Sequence, residues 1–246
     1  PTRRSSDLLT NYVEEHGCDI GIATDGDADR LGVIDDKAEF LHPNKILVLL
    51  YYYLMRYRGW RGAAVRNLAT THLLDRIAED FGETCYEVPV GFKYVSAKMV
   101  ETGAIIGGES SGGLTVRGHI QGKDGIYAAA LLVEAIAKTG RRLSALWDEI
   151  TQKYGAAEMA EHDFHFSSAE RTRIFKLLME DKQLPEFPCE IAKVSYMDGC
   201  KVYFKNGGWV IARFSGTEPL LRVFCEMDTM ENAEKIAKIL TEFLSL

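Results

Sequence analysis

Asp25, Asp27 and Asp29 stand at every second position of the segment Thr24-Asp25-Gly26-Asp27-Ala28-Asp29-Arg30. Three carboxylates aimed at one point repel one another unless a cation lies between them, and hard oxygen ligands select Mg²⁺ or Ca²⁺. Gly26 and Ala28 carry almost no side chain, so the loop can curl enough for the acids to converge. Arg30 adds a planar donor fork suited to a phosphate or to a neighbouring carboxylate. The set reads as a metal-assisted phosphate site, with a solvated acidic turn as the plain alternative. An EF-hand is excluded, because Arg30 stands where that loop needs Gly and Asp36 where it needs Glu.

Three further loops concentrate polar groups. Gly107-Gly108-Glu109-Ser110-Ser111-Gly112-Gly113 places four glycines in seven residues, which lets the backbone approach a ligand closely. Glu109 can accept two hydrogen bonds from vicinal hydroxyls and Ser111 can donate and accept. A polyol such as a sugar ring is the natural ligand, and a flexible Gly/Ser connector is the other reading. Arg213-Phe214-Ser215-Gly216-Thr217-Glu218-Pro219 combines a bidentate cation, two hydroxyls and a glycine amide. These are the parts of a phosphate cradle built without a helix N-terminus, or else of a simple hairpin. Arg222 adds charge from the strand that follows. Lys93, in Gly91-Phe92-Lys93, stands in a loop between strand and helix, and His119, in Arg117-Gly118-His119, is a candidate proton carrier or phosphate ligand.

Side chains so spread along the chain need a layered scaffold to meet. The apolar run before the acidic loop reads as a buried strand (18–23) that delivers the acids to a sheet rim. A helix precedes it, with Ser6 as N-cap and Gly17 as stop. A strand over 31–34 and a turn at Asp35-Asp36-Lys37 follow. Helices over 44–57 and 71–81 then alternate with strands over 63–67, 84–88 and 104–106, and a short helix ends at Val100. Strands alternating with helices predict an α/β layer structure. Asp124 opens an apolar helix over 126–137, and another spans 145–154. The texture changes near 155–162. Beyond it come a helix over 169–179, the breaker-rich stretch 184–188, strands over 191–196, 201–204, 209–214 and 220–226, and a helix over 231–244. That order predicts a smaller α+β domain after a boundary near residue 158.

Composition narrows the class. With 246 residues, 46% hydrophobic and 26% charged, the chain can bury a sizeable core. A net charge of −7 and the lack of a basic stripe argue against a nucleic-acid partner. The most apolar stretch, 46–55, is too short to span a bilayer and holds three tyrosines, so no membrane partner is expected. No signal peptide is visible, and five scattered cysteines without a Cys-x-x-Cys pair suit free thiols in a reducing cytoplasm. The chain starts at Pro1 and enters a helix at once, so it reads as part of something longer.

Taken in order, TDGDADR, PVGFK, GGESSGG, RGHI-x-x-KDGI and RFSGTEP resemble the α-D-phosphohexomutase family, the phosphoglucomutases and phosphomannomutases. That resemblance covers about Cys18 to Arg222. It implies four domains around a cleft, of which this chain carries the end of domain 2 (1–36), domain 3 (37–157, sugar-binding) and domain 4 (158–246, phosphate-binding). The implied roles are Mg²⁺ on Asp25, Asp27 and Asp29, and sugar hydroxyls on Glu109 and Ser111. Lys93 would orient sugar and phosphate, with Arg30 and His119 as its catalytic companions. The non-reacting phosphate falls to Arg213, Ser215, Gly216 and Thr217, with Arg222 beside them. The family's phosphoserine loop, Thr-Ala-Ser-His-Asn-Pro-like, has no counterpart here. The expected parent reaction interconverts hexose 1-phosphate and hexose 6-phosphate, glucose favoured because the sugar loop ends in Gly-Gly, with glucose 1,6-bisphosphate as intermediate and activator. As it stands, the chain is expected to bind phosphosugars without turnover, to need the missing N-terminal domains, and to self-associate through surfaces meant for them. A phosphatase of the Asp-x-Asp type is disfavoured, since position 29 should then be Thr or Val.

Overall fold

A computed structural model describes residues 3–216 and 218–246, which form two compact units, Pro1–Gly155 and Ala156–Leu246. The fold is mixed α/β, as expected.

The N-terminal unit opens with α1 (Arg3–His16), so the helix starts ahead of Ser6 and that residue lies inside it rather than at its cap. β1 (Gly21–Thr24) and β2 (Leu31–Ile34) pair antiparallel with Thr24 opposite Leu31, and β3 (Phe40–Leu41) completes a three-stranded sheet. The acidic loop is therefore the tip of a hairpin. β1 is an edge strand with only Gly21 fully buried, not the buried strand expected, because a four-residue strand has one neighbour and one covered face. α2 (Pro43–Arg56) is buried from Ile46 to Met55 and forms the centre of the unit. Its hydrophobicity on all sides reflects packing against other elements all round.

β4 (Ala64–Asn67), α3 (Leu73–Asp80), β5 (Cys85–Val88), α4 (Phe92–Thr102), β6 (Ile106–Gly108) and β7 (Leu114–Val116) follow. They build a sheet in the order β5-β4-β6-β7, parallel except for β7. β7 and β3 were not anticipated, being too short to show a periodic pattern. Under the sheet, α4 packs Val95 and Met99 on Val65, Val88 and Ala104. Asp124 does cap α5 (Gly125–Thr139), its carboxylate accepting the Tyr127 amide at 2.8 Å. α6 (Leu143–Tyr154) is capped from far away. Asp36 accepts the Ser144 amide at 3.1 Å and the Ser144 hydroxyl at 2.7 Å, so the 35–37 turn is pinned to α6.

The C-terminal unit holds β8 (Glu158–His165), α7 (Ser168–Phe175), β9 (Ile191–Ser195), β10 (Cys200–Phe204), β11 (Trp209–Phe214), β12 (Leu220–Met227) and α8 (Met230–Phe243). One antiparallel sheet, β8-β12-β11-β10-β9, is covered by the helices. β8 is a full strand where only a change of texture was expected. It is an edge strand whose sole buried residue is Ala160, so no apolar alternation betrays it. The helix expected over 169–179 is present, its last turn, Lys176–Glu180, widened to a π-turn. α8 buries Ala233, Ile236, Ala237 and Leu240, the spacing of one helical face. Leaving a single such Ile or Leu exposed would cost about 1.5–3 kcal/mol. Among the described residues no helix is long and apolar enough to cross a membrane.

Candidate functional site

The hairpin tip of the N-terminal unit gathers the three acids. Ala28 takes a left-handed backbone (φ 58°) and its amide donates to the Asp25 carbonyl at 3.1 Å, which turns the loop back on itself. One carboxylate oxygen from each of Asp25, Asp27 and Asp29 then lies within 4.8 Å of the others. Burial pushes the Asp25 carboxyl up, but the Arg30 amide and guanidinium outweigh it and hold the group below its ordinary range. The bonds are Arg30 N to Oδ1 at 3.1 Å and Arg30 Nε to Oδ2 at 2.7 Å. Asp29 Oδ1 is a buried oxygen with no hydrogen bond among the described residues, and Arg30 Nε lies 3.4 Å from it as an ion-pair partner. Three carboxylates whose oxygens converge this closely fit a hard divalent cation.

Two backbone contacts hold this tip, one to the glycine-rich loop and one to the start of α5. Arg30 and Gly113 form an antiparallel bridge, and the Gly125 amide donates to the Ala28 carbonyl at 2.9 Å. Lys123 forms an ion pair with Asp29 Oδ2, its stem lying where a side chain on Gly113 would be. Lys123 was not among the expected site residues. Its signal was only its place beside Asp124 in the run that resembles the family's.

The glycine-rich loop is itself a tight hairpin between β6 and β7. The Glu109 amide donates to Gly113 O at 2.9 Å, and Gly112, at φ 99°, closes the turn. The reason for the other glycines differs from the one expected. A Cβ on Gly107 would lie 2.5 Å from Met99 Sδ and one on Gly108 2.8 Å from Leu47 Cδ1, so these two serve packing rather than ligand approach. Glu109 is buried and Ser111 is exposed. Glu109 Oε1 accepts from Asn67 Nδ2 and from the Gly91 amide, both at 3.0 Å. Gly91, at φ 130°, is the N-cap of α4, which carries Lys93 in its first turn. Lys93 is exposed, with Nζ 4.8 Å from the Tyr94 ring centroid.

His119 is paired with Asp124 and not with the acidic triad. Its Nε2 lies 2.7 Å from Asp124 Oδ2 and its ring stacks on Tyr127 at 3.9 Å. The Tyr127 amide first, and His119 with it, hold the Asp124 carboxyl below its ordinary range. The pair ties down the loop that carries Lys123.

In the C-terminal unit, Arg213 and Arg222 are direct cross-strand partners on β11 and β12, so they share a face. Like charges so placed repel. Arg213 Nε is offset by Asp198 at 2.9 Å, and Arg222 by Glu218 at 3.1 Å and Asp163 at 3.6 Å. Beyond Arg213 the Ser215 amide donates to Leu220 O and the Ser215 hydroxyl accepts the Glu218 amide. Gly216 is exposed and a Cβ added to it would meet nothing within 4 Å, and Thr217 lies outside the described residues. Two guanidiniums beside a hydroxyl can hold an oxyanion.

Comparison with known proteins adds three family matches. Models described as phosphoglucomutase/phosphomannomutase alpha/beta/alpha domain II, alpha/beta/alpha domain III and C-terminal domain match residues 1–38, 42–154 and 175–243. A phosphoglucomutase/phosphomannomutase of Thermococcus kodakarensis is 34% identical over 239 residues, 97% of this chain and 50% of the relative. A Pyrococcus furiosus protein assigned as a phosphoglucosamine mutase is 32% identical, over 97% and 50%. A crystal structure of a Thermus thermophilus protein assigned as a phosphomannomutase superposes with a TM-score of 0.80 at 29% identity, over 100% of this chain and 51% of that one. The chain spans about half the length of the curated relatives it matches.

Proposed function

We propose a function from one premise: the chain belongs to the phosphoglucomutase/phosphomannomutase family. Its parent protein interconverts hexose 1-phosphate and hexose 6-phosphate, glucose phosphates favoured, through a phosphoserine outside this chain and a 1,6-bisphosphate. What supports the reading most is the seam between the acidic loop and the Glu109 loop, made by the Arg30–Gly113 bridge and the Lys123–Asp29 pair. It sets a cation site directly beside a polyol clamp.

Asp25, Asp27 and Asp29 hold Mg²⁺. When bound, Mg²⁺ supplies positive charge and Lewis-acid polarisation to a phosphoryl oxygen. Arg30 keeps Asp25 ionised and aimed, and Lys123 shares the charge of Asp29. Glu109 Oε2 and Ser111 take sugar hydroxyls while Lys93 approaches from the start of α4. Arg213, Arg222, Ser215, Gly216 and Thr217 hold the phosphate that does not react. Phosphoryl transfer has a loose transition state, so these groups act by positioning and by matching charge. A clamp for hydroxyls separate from a cradle for phosphate lets the bisphosphate sit either way round. His119 keeps the Lys123 loop in place through Asp124. Five free cysteines fit a reducing, cytoplasmic setting.

Two experiments test this reading. Calorimetric titration of the chain with glucose 1,6-bisphosphate should show saturable binding that Arg213→Ala abolishes, and no turnover with hexose phosphates. No binding would remove the proposed site. In the full-length parent, kcat/KM for glucose 1-phosphate should exceed that for mannose 1-phosphate. Glucosamine 1-phosphate belongs in the same series, because several relatives of similar identity are assigned as phosphoglucosamine mutases. A preference for it would replace glucose as the substrate.

A further inference from the structure

We infer that Asn67, the last residue of β4, and Thr70, in the turn that follows it, are the positioning residues that set the sugar specificity of the Glu109 loop; this rests on Glu109 being the sugar clamp. Neither was legible as a site residue, yet each is buried, at 2% and 0% exposure. Asn67 uses both ends of its amide. Nδ2 donates to Glu109 Oε1 at 3.0 Å, while Oδ1 accepts the Ala69 amide at 2.9 Å and the Thr70 hydroxyl at 2.8 Å. A backbone N–H has no acceptor, so the oxygen must face Ala69 and the NH₂ must face Glu109. Thr70 Oγ1 then accepts the Ser110 amide at 3.0 Å. With its own proton on Asn67, the hydroxyl has one orientation.

The result is a carboxylate with divided roles. Oε1 takes Asn67 and the Gly91 amide, and both hydrogen bonds go to that one oxygen. Oε2 takes none among the described residues and is the oxygen presented to a ligand. Two donors on one oxygen fix the carboxylate plane, which a single donor would leave free to rotate. Through Gly91 the same oxygen holds the residue that opens α4, so Glu109, Ser110 and the Lys93 turn share one anchor on β4.

The test is titration of this chain with glucose 1-phosphate and, separately, with inorganic phosphate. Asn67→Asp keeps the shape and both acceptor bonds but turns a donor into a second carboxylate facing Glu109. Thr70→Val is isosteric and removes the hydroxyl, and it serves where Asn67→Asp fails to fold. Glu109→Ala is the control. Loss of a buried bond to a charged group predicts roughly tenfold or more weaker glucose 1-phosphate binding in Asn67→Asp. Inorganic phosphate affinity should stay within about twofold of the parent chain, since the phosphate cradle is on another unit. Equal weakening of both probes would make the two residues merely structural and overturn the inference. Unchanged glucose 1-phosphate binding in both variants, with Glu109→Ala impaired, would overturn it and leave the sugar clamp standing. Unchanged binding in Glu109→Ala would remove the clamp itself, and the inference with it.

Discussion

The candidate site of each unit is built in the opposite way to the other's. In the N-terminal unit the site loops are tied to residues distant in sequence: Arg30 to Gly113 through the backbone, Asp29 to Lys123, and Glu109 to Asn67 and Gly91. In the C-terminal unit the phosphate loop belongs to one hairpin, and its partners Asp198, Glu218 and Asp163 come from flanking strands and turns of the same sheet. A sugar presents several hydroxyls in a fixed stereochemistry and demands a clamp assembled from several directions. A phosphate is nearly spherical in its chemistry, so charge and a turn suffice to hold it. Substitutions should therefore propagate in the first unit and stay local in the second.

The largest effect should come from Arg66→Met. Arg66 is 2% exposed and bonded to Asp75 at 2.6 Å and Glu87 at 2.6 Å, just beneath Asn67. Its removal takes the shared buried cation from two part-buried carboxylates, at a cost of about 3 kcal/mol in urea unfolding. A cost under about 1 kcal/mol would break the comparison. Burial pushes the Asp75 carboxyl up, but the Arg66 guanidinium prevails and holds it below its ordinary 3.8. A depressed folded value stabilises the fold above that pH, and the contribution disappears as pH falls through and below it. The parent chain should thus lose stability on acidification below about pH 4, and Arg66→Met should lose less on the same titration.

Next in size is a pair of glycines. Gly107→Val drives a side chain into Met99 and Val95 and should cost about 1–3 kcal/mol, whereas Gly216→Ala, with open space around it, should change stability by less than about 0.5 kcal/mol. Comparable losses at both positions would erase the contrast. Metal titration sharpens it from another side. Asp29→Asn should weaken Mn²⁺ or Mg²⁺ binding by about tenfold or more in calorimetry, and Arg213→Ala should leave it unchanged. The smallest effect is expected of Arg222→Ala. Its ion pairs are partly exposed, so the loss of stability by thermal unfolding should stay below about 1 kcal/mol.

Much of the scaffold was legible because its signals are local. Asp124 as a cap, the apolar α2 and the strand–helix alternation each follow from a few neighbouring residues. Elements whose burial comes from partners rather than from their own pattern were missed. β8 shows charges because it is an edge strand, and β3 and β7 are two and three residues long. Among the site residues, the acidic triad, Glu109 and Arg213 stood out by type and spacing. Asn67, Thr70 and Lys123 did not, since an asparagine ending a strand or a lysine in a loop has no meaning until its neighbour is known.

The sequence by itself determined which chemical groups are available and the local turns that bear them, because propensity, capping and loop flexibility act over a few residues. Tertiary structure decided what each group is tied to. It made Gly107 and Gly108 packing residues rather than ligand-facing ones, and it turned His119 toward Asp124. It also put the Asn67 and Gly91 hydrogen bonds on one and the same oxygen of Glu109. The physical reason is that a buried polar group must find its partner wherever the fold brings one within hydrogen-bond reach, and no spacing along the chain encodes that distance.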